Sequence, residues 1–412
     1  MGDFQYHYFM NALNRGLLSA ILFFAPVTDA PAGYNPDSLP KGHEYFELRD
    51  GIANSHLKFE REKAGRIVFL GGSITAGGGW RDEIIRYFQE KFPDTAFDFI
   101  SAGIGSMGSV PHAFRLERDV LARGPVDLLF VEAAVNDSSN IPDQPEHMLR
   151  GMEGVVRHMR TLNPLTDIVQ MHFVMPPHMD DYNKGIVPVS INQHEKVAVA
   201  YGNVTLNLSL EVTDRINAGE FTWEKDFKGL HPSPFGHQLY ANSIKRLLGA
   251  AYAQPLPDRA RPHPLPAPVD SKSYAKGRFG DISTARLIKG FSLDPAWKPV
   301  DGKGTRAGFV DVPALVGTEP GAEFAFDFKG TGAGLFIAAG PDAGRIECSI
   351  DGGEYRTMDT FTSWSTGLHL PWAVILDDGL KDEDHTVNVR IAGGHDVKGT
   401  GTALRVFHLL LN

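Results

Sequence analysis

The sequence predicts an α/β domain built on a parallel sheet, followed by an all-β domain. From residue 66 onward, short β-rich runs alternate with segments of helical periodicity, which is typical of a parallel sheet with helices on both faces. Beyond residue 270, short strand patterns are separated by Gly, Asp and Pro turns, which indicates a β-sandwich. The change in pattern between the two regions predicts a domain boundary.

The elements of the first region follow from their local patterns. Four runs are expected to be strands: Arg66 to Leu70, Phe97 to Ala102, Val126 to Ala133 and Ile168 to Met175. Four segments are expected to be helices: Trp80 to Phe92, Ala113 to Ala122, Pro145 to Leu162 and Phe235 to Tyr252. Reactive groups collect at the carboxyl ends of parallel strands, and Ser73, the run Ser101 to Ser106, and Asn136 all fall there.

The proline-rich stretch Pro255 to Pro268 separates the two regions. Six of its fourteen residues are proline, so it cannot form a helix or a central strand, and we expect a stiff linker. Beyond it, five runs are expected to be strands: Ala322 to Phe328, Gly334 to Ala339, Gly344 to Ile350, Thr386 to Ile391 and Leu404 to Leu411. The expected division is an N-terminal segment (1–32), an α/β domain (33–253), a linker (254–269) and a β-sandwich (270–412).

The N-terminal segment has the pattern of a signal peptide. Arg15 precedes the apolar run Gly16 to Ala25, and the small residues Ala30-Pro31-Ala32 follow. The run is too short to span a bilayer, which takes about 20 residues. We expect a secreted or periplasmic protein cleaved near Ala32; the alternative is a buried N-terminal helix.

Charge and cysteine content exclude several classes of function. The chain has 40 basic and 50 acidic residues and no long basic run, so it lacks the cluster of positive charge that a nucleic-acid binder needs. No other segment approaches membrane length, so no membrane partner is expected. Cys348 is the only cysteine, which excludes an intramolecular disulfide and any multi-cysteine metal site. The oligomeric state stays open.

One histidine- and aspartate-rich stretch is a candidate metal-binding site. His172, His178, Asp180 and Asp181 lie close together, but their spacing matches no recognised set of metal ligands. We therefore expect neither a metal nor another cofactor, and this stretch could instead line a substrate cleft.

Ser73 is the first candidate for a reactive group. It follows a strand directly and lies among glycines, which let the backbone approach a ligand closely and could equally cradle a phosphate. The lysine of a P-loop is missing, and Thr75 occupies the position that would be glycine in a GxSxG elbow. This stretch alone therefore leaves both a nucleophile and a ligand-binding turn open.

Two later residues complete the chemistry that an ester-cleaving serine needs. Asn136 ends the apolar run Leu128 to Val135, where its amide can donate a hydrogen bond to a developing oxyanion. His231 lies in a loop stiffened by Pro232 and Pro234, where its imidazole can serve as a base. Taken singly, such residues are more often a turn asparagine and a solvated histidine.

Together these residues resemble the SGNH (GDSL-like) hydrolase superfamily over roughly residues 64–250. The blocks that carry the resemblance are Gly71-Gly72-Ser73-Ile74-Thr75, Ser101-Ala102-Gly103-Ile104-Gly105-Ser106, Ala134-Val135-Asn136-Asp137 and His231-Pro232-Ser233-Pro234-Phe235-Gly236-His237. The resemblance implies a flavodoxin-like, three-layer parallel sheet. With the C-terminal sandwich, expected to be jelly-roll-like, the chain is similar to two-domain carbohydrate esterases.

The resemblance also implies roles for individual residues. Ser73 would be the nucleophile and His231 the base, while the Ser73 amide, the Gly105 to Ser106 turn and the Asn136 side chain would form the oxyanion hole. The glycine of the second block falls by spacing at Ser106, with Gly105 one residue before it, and either residue can supply the amide.

The acid of the triad is the main departure from the family pattern. The family usually carries an aspartate three residues before the catalytic histidine, and here that position is Lys228. Asp226 could reach the imidazole if the loop bulges. The alternative is a Ser-His dyad, with a backbone carbonyl orienting His231.

The expected function is deacetylation of an acetylated carbohydrate by a serine esterase, through an acyl-enzyme intermediate. A lipase-like or lysophospholipid acylhydrolase is the rival enzyme, and a degenerate hydrolase kept as a carbohydrate-binding module is the non-enzymatic rival. Trp364, His369 and Trp372 could form a sugar-stacking platform on the second domain, or could belong to its core.

Overall fold

The computed structural model of the protein describes residues 30–412. The signal-peptide pattern falls almost entirely on residues 1–29, which lie outside the described residues. Within the described part, no helix is both long enough and apolar enough to cross a membrane.

The first domain combines a six-stranded sheet with helices. Its strands are β1 (Phe46–Glu47), β2 (Ala64–Gly71), β3 (Ala96–Gly103), β4 (Leu128–Glu132), β5 (Asp167–Met171) and β6 (Val204–Leu206). Its α-helices are α1 (Ala53–Leu57), α2 (Ser73–Ala76), α3 (Trp80–Lys91), α4 (Ser109–Asp119), α5 (Ala134–Asn140), α6 (Pro145–Leu162), α7 (Pro176–Asn183), α8 (Val189–Tyr201), α9 (Leu208–Asn217) and α10 (Pro234–Tyr252). Short turns of π- or 3₁₀-helix occupy Lys58–Glu62, Leu121–Arg123 and Trp223–Phe227.

The strand order positions the site. The sheet runs β1-β6-β5-β4-β2-β3, and all neighbours are parallel except the short edge strand β1. Counting only the parallel strands in chain order gives 2-1-3-4-5, the flavodoxin-like arrangement. The winding reverses between β2 and β4, so a crevice opens at the carboxyl ends of these two strands. The expected α/β fold is therefore confirmed.

Burial on both sheet faces accounts for the composition of the central strands. Every residue of β4 and β5 is buried, because helices cover both faces. Helices α3 and α10 pack on one face, and α4, α6 and α8 on the other. Helix α6 begins at a proline, and its buried residues Met148, Met152, Val155 and Met159 recur at helical spacing.

The second domain is built from two sheets. Its strands are β7 (Arg278–Gly280), β8 (Arg286–Lys289), β9 (Phe291–Trp297), β10 (Gly304–Thr305), β11 (Val312–Gly317), β12 (Glu323–Gly330), β13 (Ala333–Ala339), β14 (Arg345–Ile350), β15 (Arg356–Asp359), β16 (Leu368–Asp377), β17 (Glu383–Ile391) and β18 (Leu404–Leu411). One sheet has the order β10-β16-β13-β18-β11-β9 with β7 beside β18, and the other has the order β15-β14-β17-β12-β8. Nearly all pairs are antiparallel, as expected for a sandwich.

The two domains share a hydrophobic core. Phe309, Phe336 and Phe407 of the sandwich belong to the same buried cluster as Val110 and Phe114 of α4. Burying aromatic side chains in this way stabilises the contact by roughly 1.5–3 kcal/mol for each side chain. The sandwich is therefore packed against the helical layer rather than tethered to it.

The proline-rich linker lies along the first domain. The Arg261 N–H donates to Asn54 Oδ1 at 2.8 Å, and His263 Nε2 lies 2.7 Å from Asp167 Oδ1. The carbonyl of Pro266 accepts a hydrogen bond from Arg157 at 2.7 Å. The bonds to the Arg261 N–H and the Pro266 carbonyl satisfy linker backbone groups that an extended, proline-rich chain cannot pair internally.

Candidate active site

Ser73 is the first residue of α2 and comes two residues after β2 ends. Gly72 between them packs directly against the side chain of Asn136, so a Cβ at position 72 would collide with Asn136 Oδ1. A glycine is therefore required here by close approach and not by a positive φ. The tight turn presents the Ser73 side chain, which is half-buried, at the crevice between β2 and β4.

Ser73 and His231 are hydrogen-bonded. His231 Nε2 lies 2.8 Å from Ser73 Oγ, although the two residues are far apart in the sequence. The loop that carries His231 is held at both ends: the Ser233 N–H donates to the Phe227 carbonyl at 2.8 Å, and Ser233 Oγ caps α10 by accepting from the Gly236 N–H. In this geometry the imidazole can take the serine proton as the oxygen attacks a carbonyl carbon.

The structure does not bring Asp226 to His231. Asp226 Oδ2 accepts hydrogen bonds from the Thr222 N–H at 2.8 Å and from Thr222 Oγ1 at 3.0 Å, within its own helical turn. Lys228 adopts the left-handed conformation (φ 70°) and ends that turn before the chain reaches His231. Among residues 30–412 no carboxylate is hydrogen-bonded to His231, so the geometry is that of a Ser-His pair.

Asn136 lies in α5, which begins at Ala134 shortly after β4 ends. Its side chain packs over Gly72, next to the Ser73 backbone. The amide is thus placed beside the turn where an oxyanion would form when Ser73 attacks. Two neighbouring parallel strands, β2 and β4, deliver these two residues to the same end of the sheet.

The Gly105 to Ser106 turn lies on the other side of the nucleophile loop. The Ile104 N–H donates to the Gly71 carbonyl at 3.0 Å and links this turn to the end of β2. Ser106 has φ 69°, the left-handed conformation that favours glycine. The Ser106 carbonyl accepts a hydrogen bond of 2.8 Å from Asn140 Nδ2, at the end of the helix that carries Asn136.

A buried carboxylate supports the nucleophile turn from below. Glu132 Oε1 accepts a hydrogen bond of 2.6 Å from the Gly72 N–H and one of 2.7 Å from Thr75 Oγ1. Burial raises the pKa of Glu132 from 4.5 to about 7. None of the sequence motifs includes Glu132, although a carboxylic acid inside an apolar strand is rare and could have drawn attention to it.

A second buried carboxylate holds the loop that follows the Gly105 to Ser106 turn. Asp137 Oδ1 accepts a hydrogen bond of 2.9 Å from the Ser109 N–H, and Asp137 Oδ2 lies 2.9 Å from His194 Nε2. Asp137 follows Asn136 directly, so the bond to Ser109 ties the third block to the start of α4, three residues after the second block. The motif contained Asp137, but only the fold reveals its partners.

The three aromatic candidates of the second domain occupy different environments. Trp364 is 45% exposed, and its Nε1 donates to Asn140 Oδ1 at 3.2 Å across the domain boundary. His369 is buried and bonded to Asp301, while Trp372 packs partly against the sandwich core. The three residues therefore do not form a common platform, and Trp364 alone is exposed beside the first domain.

A cavity lies between the domains beside the second block. It has a volume of about 210 Å³, and Ser106, Asn140 and His147 line it from the first domain. Trp372 and Met358 line it from the sandwich. A groove bounded by both domains is thus adjacent to the Gly105 to Ser106 turn.

The two histidines of the histidine- and aspartate-rich stretch make structural contacts. His172 Nε2 lies 2.9 Å from Glu195 Oε1, and His178 Nε2 lies 2.9 Å from Ser138 Oγ. Burial lowers the pKa of both histidines, which favours their neutral form. In the part of the chain that the structure describes, no group of three or more His, Cys, Asp or Glu side chains is arranged to hold a metal ion.

Residues 69–239 match the GDSL-like Lipase/Acylhydrolase family. No curated protein shows significant sequence similarity to the chain.

Solved structures of similar fold span both domains. A two-domain esterase (CEX) active on acetylated mannans is similar with a TM-score of 0.69 at 22% identity, covering 89% of this chain and 98% of that one. The same esterase co-crystallised with mannopentaose has the same TM-score, identity and coverage.

The family match covers the residues that bring Ser73, Asn136 and His231 together, and the similar structures extend the shared fold to the sandwich. The chain therefore carries a GDSL-like lipase/acylhydrolase domain with an all-β domain packed against it, and it is a carboxylic ester hydrolase.

Proposed function

We propose that the protein is a serine esterase that removes acetyl groups from a carbohydrate through an acyl-enzyme intermediate. The observation that carries the proposal is the 2.8 Å hydrogen bond between Ser73 Oγ and His231 Nε2 beside Asn136. Ser73 Oγ attacks the ester carbonyl carbon while His231 takes its proton. The carbonyl oxygen becomes negative and is bound by the Ser73 amide, the Gly105 to Ser106 turn and the Asn136 side chain.

Collapse of the tetrahedral intermediate releases the sugar hydroxyl. His231 returns its proton to the leaving alkoxide, and the acetyl group stays on Ser73. Water then attacks the acyl-enzyme with His231 as the base, which releases acetate and restores the serine. Because Asp226 is bonded to Thr222, we assign it no part in these proton transfers and propose a Ser-His dyad.

The substrate class rests on the second domain and the fold comparison. The similar esterase CEX acts on acetylated mannans and has been co-crystallised with mannopentaose. In this chain, the exposed face of Trp364 and the cavity beside Ser106 both lie where the two domains meet. Flat aromatic faces suit pyranose rings, and a groove between domains suits an oligosaccharide better than a long acyl chain.

Two experiments test the proposal. Acetate release from acetylated manno-oligosaccharides is compared with hydrolysis of p-nitrophenyl esters of short and long acyl chains, using wild type, Ser73→Ala and the surface control Ser271→Ala. We expect wild type and Ser271→Ala to prefer acetyl esters and Ser73→Ala to be inactive. A preference for acyl chains longer than about eight carbons would instead favour a lipase-like enzyme.

Covalent labelling separates an enzyme from a binding module. A fluorophosphonate probe is added to the folded protein, and the adduct is located by peptide mass spectrometry. We expect the adduct on Ser73, because its hydroxyl is paired with His231. Folded protein without label on Ser73 would contradict the esterase proposal and favour a carbohydrate-binding module.

A further inference from the structure

Arg306 of the sandwich reaches the second block of the first domain. Its Nη2 donates a hydrogen bond of 2.6 Å to Ser106 Oγ. A Cβ added to Gly105 would lie 3.1 Å from Arg306 Nε, so the guanidinium also covers the preceding residue. The second domain thus contacts the turn whose amide belongs to the proposed oxyanion hole.

The backbone conformation of Ser106 indicates what the contact with Arg306 does. Ser106 has φ 69°, where a residue with a Cβ is strained and where the family pattern places glycine. The strained turn is held from two sides: Asn140 Nδ2 donates to the Ser106 carbonyl at 2.8 Å, and Arg306 binds its side chain. A strained backbone conformation of this kind persists only where several contacts from the surrounding structure hold it.

Arg306 is itself firmly placed. The preceding residue, Thr305, pairs with His369 in the sheet and donates from Oγ1 to the His369 carbonyl at 2.7 Å. Three residues later, Phe309 is buried in the core shared by both domains, and its N–H donates to the Arg306 carbonyl. The side chain is half-buried, and among residues 30–412 no carboxylate forms an ion pair with it. Ser106 Oγ is its hydrogen-bond partner within the described residues.

We propose that Arg306 is a positioning residue that holds Ser106 in the left-handed conformation and so aligns the backbone amide of the oxyanion turn. The proposal rests on the proposed esterase function and deepens it, because it makes the sandwich domain part of the catalytic apparatus. It also accounts for serine at position 106. Serine lacks the backbone freedom of glycine, but it has a hydroxyl that Arg306 can bind.

A double-mutant cycle tests the proposal. We expect Arg306→Ala to lower kcat on p-nitrophenyl acetate about 10- to 100-fold with little change in KM, because this small ester lacks the sugar. Ser106→Gly supplies the second background of the cycle: it keeps the backbone amide, and glycine adopts φ 69° without support. In the double variant Ser106→Gly/Arg306→Ala, most of the loss should be recovered.

Substrate contact by Arg306 would give a different pattern. In that case Arg306→Ala would raise KM for an acetylated manno-oligosaccharide and leave kcat on p-nitrophenyl acetate nearly unchanged, which would overturn the proposal. Failure of Ser106→Gly to restore activity to Arg306→Ala would overturn it as well. Arg150→Ala is the matched control, because Arg150 also crosses the domain boundary, bonding to Asp378 at 2.6 Å, away from the oxyanion turn. We expect it to lower the melting temperature and leave kcat unchanged. An equal loss of kcat in Arg150→Ala would assign the effect to domain docking and refute positioning.

Amide hydrogen exchange provides a readout that needs no catalysis. We expect residues 104–109 to exchange faster in Arg306→Ala than in wild type, with the rest of the first domain unchanged. Unchanged exchange in this segment would overturn the role of Arg306. Wild-type protein that neither hydrolyses esters nor takes up fluorophosphonate would instead refute the proposed function, and the exchange result would still decide the role of Arg306.

Discussion

The Glu132 carboxylate accepts the backbone N–H of Gly72, the residue before Ser73, at 2.6 Å. The same carboxylate oxygen accepts from Thr75 Oγ1 at 2.7 Å, so one buried side chain holds the turn on both sides of Ser73. A buried N–H without a partner costs about 1–3 kcal/mol. Glu132 thus supplies an acceptor that the tight turn cannot supply from its own backbone.

Glu132→Gln should change how stability depends on pH. Burial raises the pKa of Glu132 from 4.5 to about 7 in the folded protein, so the folded state favours the protonated form. The stabilisation is complete below pH 4.5 and is lost as pH rises through about 7, amounting to about 3 kcal/mol. We expect Glu132→Gln to flatten this slope in urea unfolding measured from pH 4 to 8. The same slope in the variant would show that other groups cause it.

Glu132→Ala, unlike Glu132→Gln, should lower both the stability and the activity of the protein. It removes the acceptor for Gly72 and Thr75 and leaves a cavity, so we expect a loss of about 2–4 kcal/mol in the free energy of unfolding. Because the turn that carries Ser73 loosens, kcat should also fall at least 10-fold. Glu132→Gln retains an acceptor oxygen and should keep most of the activity. Equal activity of the Ala and Gln variants would contradict a supporting role for this side chain.

Asp226→Ala should affect turnover far less than His231→Ala. Asp226 is bonded to Thr222 and not to the imidazole, so we expect a loss of less than about 5-fold in kcat, against about 10³-fold or more for His231→Ala. Both variants are assayed with p-nitrophenyl acetate. Thr222→Val is the matched control, because it removes one hydrogen bond of the same turn. If Asp226→Ala lost as much as His231→Ala, the carboxylate would act in a triad.

Asn136→Ala should lower kcat and leave KM nearly unchanged. An oxyanion donor binds the transition state more strongly than the ground state, and removing one costs about 10²- to 10³-fold in kcat. Steady-state kinetics with p-nitrophenyl acetate measure both constants. Asn217→Ala, an exposed asparagine hydrogen-bonded to Asn183, is the control and should match wild type. A rise in KM at constant kcat would place Asn136 in ground-state binding instead.

Trp364→Ala should weaken the binding of oligosaccharides. The exposed indole lies beside Asn140 at the domain boundary, and loss of a stacking face should raise KM for an acetylated manno-oligosaccharide about 10-fold. Trp364→Phe keeps an aromatic face and loses only the N–H donor, so its KM should rise less. The effect on p-nitrophenyl acetate should be smaller than on the oligosaccharide. Equal effects on both substrates would assign Trp364 a structural role through Asn140.

Local patterns located four strands and four helices of the first domain and five strands of the second, but not helices α8 and α9 or the long strand β16. The predicted strand at Arg66 to Leu70 and the predicted helix at Pro145 to Leu162 match β2 and α6 closely, because burial imposes a clear periodicity on each. The short strand β6 and the edge strand β15 carried no such signal, since three or four residues cannot establish a period. Tertiary pairing, not local propensity, stabilises strands of this kind.

Residue identity and order were enough to single out Ser73, Asn136 and His231, because each follows a recognisable strand or precedes a capped helix. The contacts that hold the rest of the site in place could not be read from the chain. Asp226 is two residues from the expected position of the acid, yet it bonds to Thr222, because the backbone turns at Lys228. Arg306 is 200 positions from Ser106 and meets it only because the sandwich packs on the helical layer. Hydrogen bonds between distant segments depend on ångström-scale packing, which local sequence patterns do not encode.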